Sequence, residues 1–355
     1  MSWKNKVLIF AFVSMVFGVS FFGFDASNAQ QKPTVTPSPT ATPVIEEDDE
    51  PIKIDTEVVN VLFTAQDKNR RLLTTLKQED VKILENGQAQ EITYFARQVD
   101  LPLSLAILVD TSPSQERTLP ELKEAAKSFL DAVVRPAQDE VAILSFTGET
   151  TLEQGLTNNL QRLRRAVDRV AFVPPSGYIG GGVVVTGTPP ISGDNQRIYG
   201  TTALWDAIFV TSEEVLLLSP QKTRRAIILL TDGVNYGGRK KLDEAVQAAL
   251  KSEAVIYSIG IGDNYFDGVD KPTLKKISER TGGSAFFPRD EAELRAAFTQ
   301  IQIEMRSQYL IAYEPTNQKR DGSFRTIEIQ LANSELAKQK VTLTHRKGYF
   351  AKTQK

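Results

Sequence analysis

The stretch Leu103–Ser114, LSLAILVDTSPS, decides how this chain is read. An apolar, β-branched run stops abruptly at Asp110, and Ser112 and Ser114 follow at alternate positions. Such a run, ended by a turn, is the pattern of a strand buried on both faces. Three oxygen donors then share one tight turn. Carboxylate and hydroxyl oxygens suit a hard divalent cation such as Mg²⁺, whereas a zinc site calls for His or Cys. The chain has one His and no Cys.

Outward from this turn, 101–307 alternates strands with amphipathic helices. The expected strands are Leu103–Val109, Val141–Phe146, a short edge strand at Thr150–Gln154, Ala226–Leu230, Val255–Ile261 and Ala285–Phe287. The expected helices are Glu116–Val133, Leu160–Val170, Ala203–Leu217, Leu242–Ser252, Pro272–Arg280 and Glu291–Met305, with Asn159 and Asp290 as N-caps and Gly282-Gly283 closing a helix. This alternation predicts an α/β fold: a doubly wound, mostly parallel, Rossmann-like sheet with helices on both faces. Ligands of such sheets bind beyond the carboxyl ends of the strands, where strand order reverses. Thr202 opens one of the helices, and Asp232 follows a strand in the phrase Leu230-Thr231-Asp232-Gly233. Each residue alone reads equally well as a helix cap. Asp110, Ser112, Ser114, Thr202 and Asp232 together point to one cation site.

Two further segments of the core carry chemistry-bearing residues. Pro174–Gly200 is crowded with Gly and Pro and includes Gly180-Gly181-Gly182. It reads as a long surface loop, and it lacks the GxGxxG or Walker lysine of a phosphate cradle. Asp263, Asp267 and Asp270 lie in another loop without EF-hand spacing, and Asp270 sits where a helix N-cap belongs.

The flanks differ from the core. Residues 1–29 read as a signal peptide or uncleaved anchor, because Lys4 and Lys6 precede the apolar run Val7–Phe24 and small residues follow at Ser27-Asn28-Ala29. Residues 30–51, rich in Pro and Thr and ending in the acidic run Glu46–Glu50, read as a disordered linker. Residues 52–98 read as a small β module with an Asn86-Gly87 turn, and 308–351 as further strands around an Asp321-Gly322 turn, the two flanks packing together. His345, with no carboxylate or second His near it in sequence, reads as a surface strand residue. A net charge of -2 gives no basic field for nucleic acid, and Arg224-Arg225 and Arg239–Lys241 read as solvated element ends. Membrane contact is expected only through the N-terminal anchor, and the destination is the periplasm, the cell surface or the exterior.

With these residues assembled, the chain resembles the von Willebrand factor type A family, whose metal-ion-dependent adhesion site is built from DxSxS, a distant Thr and a distant Asp. The core matches all three elements, and Gly200-Thr201-Thr202-Ala203-Leu204 aligns best with Thr202 as the ligand. The flanking phrases Glu85-Asn86-Gly87, Asp321-Gly322-Ser323-Phe324-Arg325 and Lys347-Gly348-Tyr349 are similar to an exported, von Willebrand factor A-related family of bacteria abundant in Acidobacteria. The resemblance implies Mg²⁺, or Mn²⁺ or Ca²⁺, bound directly by Ser112 and Ser114 and directly or through water by Asp110, Thr202 and Asp232. It also implies a protein partner that offers the ion a carboxylate, and no enzymatic activity. Pro113 and Gln115 depart from the family pattern, which has small or flexible residues and often Met at those places. Two other readings remain open: a structural envelope or assembly protein with a non-functional metal site, and an Mg²⁺-dependent phosphoryl-transfer enzyme with Asp110 as nucleophile. The latter would require a second Asp where Ser112 stands.

Overall fold

The computed structural model describes residues 58–98, 101–172, 202–220, 223–262 and 268–353. The expected signal, linker and Gly-rich loop, together with Thr201, Asp263 and Asp267, lie outside the described residues. In chain order the N-terminal flank contributes β1 (Val59–Gln66), β2 (Val81–Glu85), β3 (Gln88–Gln90) and β4 (Ile92–Gln98). The core follows with β5 (Leu103–Asp110), α1 (Leu119–Val133), β6 (Glu140–Phe146), β7 (Thr150–Thr157), α2 (Leu160–Arg169) and α3 (Leu204–Val210). It continues with β8 (Arg224–Thr231), α4 (Leu242–Lys251), β9 (Ala254–Gly260), α5 (Lys271–Thr281), β10 (Ala285–Phe286) and α6 (Glu291–Arg306). The C-terminal flank adds β11 (Gln308–Tyr313), β12 (Phe324–Leu331), α7 (Ser334–Lys338), β13 (Thr342–His345) and β14 (Gly348–Phe350).

The core sheet has the order β10-β9-β8-β5-β6-β7, parallel throughout except for antiparallel β7 at one edge. All eight residues of β5 and of β8 are buried, which is why their centres, Leu105–Val109 and Ala226–Leu230, read as unbroken apolar runs. Alternate β5 residues serve opposite faces. Leu103, Leu105, Ile107 and Val109 pack with α1, α2 and α6, whereas Ala106 and Leu108 pack with α3, α4 and α5. The chain leaves β5 toward β6 on one side and reaches β8 on the other, so strand order reverses between β5 and β8. The expected caps form: Asn159, Asp270 and Asp290 each accept a backbone N–H of the first helical turn, and Gly282 ends α5 with φ of 90°. The edge strand is longer than its sequence suggests, and α3 runs on through a π-helical turn, Thr211–Leu216.

The two flanks build a sandwich of antiparallel sheets, β13-β1-β11-β4 and β14-β12-β2-β3, each drawing strands from both flanks. Asn86 and Gly87 make the expected two-residue turn with positive φ, but the partner of β2 across it is the short β3, and β4 joins the other sheet. Inside the sandwich, Glu85 accepts hydrogen bonds from Tyr313 Oη and Tyr349 Oη, both 2.9 Å, and pairs with Arg325 at 3.4 Å. Arg325 also donates to the carbonyls of Asn317 and Lys319, fixing the loop before β12. Asn86 Oδ1 accepts the Thr326 N–H at 2.9 Å. A Cβ at Gly348 would stand 2.4 Å from the Arg325 carbonyl oxygen. The three flanking phrases thus converge on one buried polar cluster.

Two expectations about charged residues are overturned. Arg224 and Arg225 are not solvated ends but buried: Arg224 donates to the Met305 carbonyl, and Arg225 donates to Ser219 Oγ (2.8 Å) and to the Ser219 and Ser252 carbonyls. Main-chain oxygens at the ends of neighbouring elements replace water around the guanidinium groups. His345 is not at the surface either, with 3% of its area exposed. Its Nε2 accepts the Ile329 N–H (3.2 Å) and its Nδ1 lies 2.8 Å from the Arg346 carbonyl oxygen, so the ring links β12 to β13 as the neutral Nδ1–H tautomer.

Burial lowers the His345 pKa from 6.5 to about 4. Between those values the unfolded chain binds the proton and the folded one does not, so stability is full above pH 6.5 and falls as pH drops toward 4. The whole effect is about 3 kcal/mol. Urea unfolding at pH 4.5 and pH 7 should show this loss in the natural protein and a smaller one in His345→Gln. In the sandwich, Arg325→Met and Glu85→Leu should each cost about 3–5 kcal/mol, because each leaves a buried charge unpaired. The double variant should cost less than their sum in the same unfolding measurements.

Candidate metal centre

Asp110 is the last residue of β5, and Asp232 directly follows β8, the adjacent parallel strand. The sheet alone therefore brings two carboxylates to one edge at the point of order reversal. Past Asp110 the chain turns through one 3₁₀ turn, Pro113–Gln115, with Pro113 at its first position, where a missing N–H leaves no hydrogen bond unmade. This turn sets the two serine hydroxyls 3.1 Å apart. Gly233 turns the chain just beyond Asp232 with φ of 87°, and a Cβ there would lie 2.8 Å from Leu274 Cγ, so a side chain is excluded on both counts.

Every oxygen of the two carboxylates is engaged. Asp110 Oδ1 accepts the Ser112 N–H (2.9 Å), and Oδ2 accepts the Thr231 hydroxyl (2.6 Å). Asp232 Oδ1 accepts the Val234 N–H (2.9 Å), and Oδ2 accepts the Ser114 hydroxyl (2.5 Å). Thr202 is buried. Its carbonyl accepts the Tyr236 N–H (3.0 Å) from the loop after Asp232, and the next N–H, of Ala203, bonds the Thr147 carbonyl (2.6 Å) beyond β6. All five residues singled out in the sequence thus lie at one edge of the sheet.

Two residues of the site escaped sequence reasoning. Thr231 bridges the strand ends through Asp110 and also accepts the Gly233 N–H at 3.1 Å. Its signal was a hydroxyl at the end of an otherwise apolar strand, one residue before the Asp. Gln115 is fully buried and reaches both Asp232 and the end of β9. Its one signal was that a polar residue follows the serines where the resembling family often has an apolar one.

The electrostatics are unusual for a buried site. Burial, and next the charge of Asp232, push the Asp110 pKa above the ordinary carboxylate range. Burial also raises Asp232, against the hydrogen bonds from Ser114 and Val234. No Lys or Arg among the described residues pairs with either group. Two desolvated carboxylates without a cation are unfavourable, and a bound cation is the simplest complement. The donors fit a hard ion, since all are oxygens. The spacing of the serine oxygens is near the about 2.9 Å separating adjacent ligands in a Mg²⁺ octahedron.

No curated protein matches the sequence. Solved structures with similar folds include proximal thread matrix protein 1 from the mussel byssus, whose structure is described as having a zinc-occupied MIDAS motif (21% identity, 62% of this chain, 50% of that one, TM-score 0.46). Others are an aerotolerance-related membrane protein from Bacteroides fragilis (16%, 58% and 100%, 0.40) and a von Willebrand factor type A protein from Catenulispora acidiphila (14%, 85% and 76%, 0.43). The chain spans about half the length of the mussel protein. A family model described as the von Willebrand factor type A domain matches residues 191–300, which include Thr202 and Asp232. The likeness to the von Willebrand factor type A domain thus rests on residues 191–300, and β5 with its DxSxS turn lies in the same sheet as the matched strands.

Proposed function

We propose that this chain is an exported, non-enzymatic binding module that captures a protein partner through a divalent ion held by Asp110, Ser112, Ser114, Thr202 and Asp232. One observation carries the reading: two buried carboxylates, paired with no Lys or Arg of the described residues, stand at the ends of adjacent parallel strands and accept hydroxyl hydrogen bonds. Three hydroxyls and two hydrogen-bonded carboxylates donate little direct charge. An ion in such a shell stays electrophilic and attracts a carboxylate from outside. The protein's own part is to hold the oxygens in place. The Ser112 N–H and Thr231 fix Asp110, while the Val234 N–H and Ser114 fix Asp232.

Export rests on the Lys4, Lys6 and Val7–Phe24 pattern, and similarity to the exported bacterial von Willebrand factor A-related proteins rests on the flanking phrases. No helix of the described residues is long and apolar enough to cross a membrane. A non-enzymatic role is supported by the residues at the turn, where Ser112 occupies the place at which a phosphoryl-transfer site would need its second carboxylate.

Asp110→Asn should raise the stability of the metal-free protein by about 1–3 kcal/mol, because it removes a desolvated charge facing another. It should also abolish the rise in melting temperature that Mg²⁺ or Mn²⁺ gives the natural protein over EDTA. Native crosslinking followed by mass spectrometry should recover a partner with Mg²⁺ present and lose it with EDTA or in Asp110→Asn. A partner that stays crosslinked in EDTA would overturn the metal-dependent mechanism.

A further inference from the structure

Gln115 has no part in the five-residue ligand set, yet it is fully buried in the turn that carries Ser112 and Ser114. Its Nε2 lies 2.9 Å from the Ile261 carbonyl oxygen and 3.4 Å from Asp232 Oδ2, both acceptors. Its Oε1 accepts the Thr118 hydroxyl at 2.8 Å, and that hydroxyl also reaches the Gln115 carbonyl. The neighbours therefore fix which end of the amide faces the site, since two acceptors need the NH₂ and a hydroxyl donor needs the carbonyl. Asp232 Oδ2 is thus shared by Ser114, a proposed ligand, and Gln115, which is not one. When Ser114 turns its lone pairs toward an ion, it remains able to donate to Asp232 only along a restricted direction. The Gln115 amide then keeps the carboxylate from rotating about its last torsion.

We propose that Gln115 is a positioning residue of the metal centre: its amide holds Asp232 Oδ2 toward the ion and ties the DxSxS turn to the end of β9. The proposal rests on the metal-site reading above. Met, the residue the resembling family often carries at this place, matches Gln in length and packs in an apolar setting, but it donates nothing to Asp232. This chain has therefore fastened by hydrogen bonds what an apolar side chain leaves to packing. Partners that orient a metal-ligating carboxylate typically change metal affinity by about 10–100-fold when removed.

The test is Mn²⁺ binding to the full-length chain, followed by calorimetry and by the electron paramagnetic resonance signal of free Mn²⁺, below the melting temperature of every variant. Gln115→Met should weaken Mn²⁺ binding by about 10-fold or more, with the circular dichroism of the metal-free protein unchanged. Thr118→Val removes the hydroxyl that orients the amide and leaves Gln115 in place. It should weaken binding by a smaller factor, and it serves if Gln115→Met does not fold. A purely structural role would lower the melting temperature of the metal-free protein and leave the Mn²⁺ dissociation constant of the folded variant unchanged. That result, for either variant, overturns the role of Gln115 while natural-protein binding upholds the metal site. No Mn²⁺ binding by the natural protein overturns both readings together.

Discussion

The parallel pairing of β5 with β8 is the constraint on which the rest depends, because it makes neighbours of Asp110 and Asp232, far apart in sequence. Strand order reverses there, and the helices leaving the two strands cover opposite faces, so a crevice opens between them. The sheet itself is held by apolar burial on both sides. It therefore does not need the carboxylates, and their desolvation and mutual repulsion are tolerated out of stability supplied elsewhere.

The same chain shows how it treats a buried carboxylate that serves only the fold. Glu85, inside the sandwich, has Arg325 beside it and two tyrosine hydroxyls bonded to it. Asp139 is likewise held by Arg135 and Arg306, and Arg135 helps keep its pKa below the usual range although burial opposes this. Among the described residues, Asp110 and Asp232 receive only uncharged donors, and both are pushed the other way. The contrast is physical: beside Glu85 and Asp139 the described chain places arginines, and beside Asp110 and Asp232 it places hydroxyls, amides and N–H groups.

The sandwich is joined to the core rather than strung beside it. Glu304 of α6 accepts Gln66 Nε2 of β1 at 2.8 Å and the Ser284 hydroxyl at 2.9 Å, and the Lys347 N–H bonds the carbonyl of Arg280 in α5 at 3.1 Å. A Cβ at Gly282 would stand 2.6 Å from the Arg346 nitrogen, so the helix end and the C-terminal strand meet backbone to backbone. Asn60, Leu62 and Leu310 of the sandwich line one cavity with Leu103, Arg224 and Ala254, at the amino ends of β5, β8 and β9.

By itself the sequence determined the α/β alternation, the buried character of β5 and of the run Ala226–Leu230, the caps at Asn159, Asp270 and Asp290, and the choice of the five oxygen-bearing residues proposed to hold an ion. These are legible because period, capping chemistry and ligand type are local properties of a few neighbouring residues. Only the tertiary structure decided that β4 leaves β2 for another sheet, that Arg224, Arg225 and His345 are buried, and that Thr231 and Gln115 hydrogen-bond the carboxylates of Asp110 and Asp232. Each of those facts depends on a partner contributed by a distant element: a carbonyl at Met305 or Ser252, an N–H at Ile329, a carboxylate across the strand boundary. A polar side chain carries no mark in the sequence of whether its partner will be water or protein. Packing settles that, and here it turned residues that look like ordinary surface or turn positions into the fastening of the site.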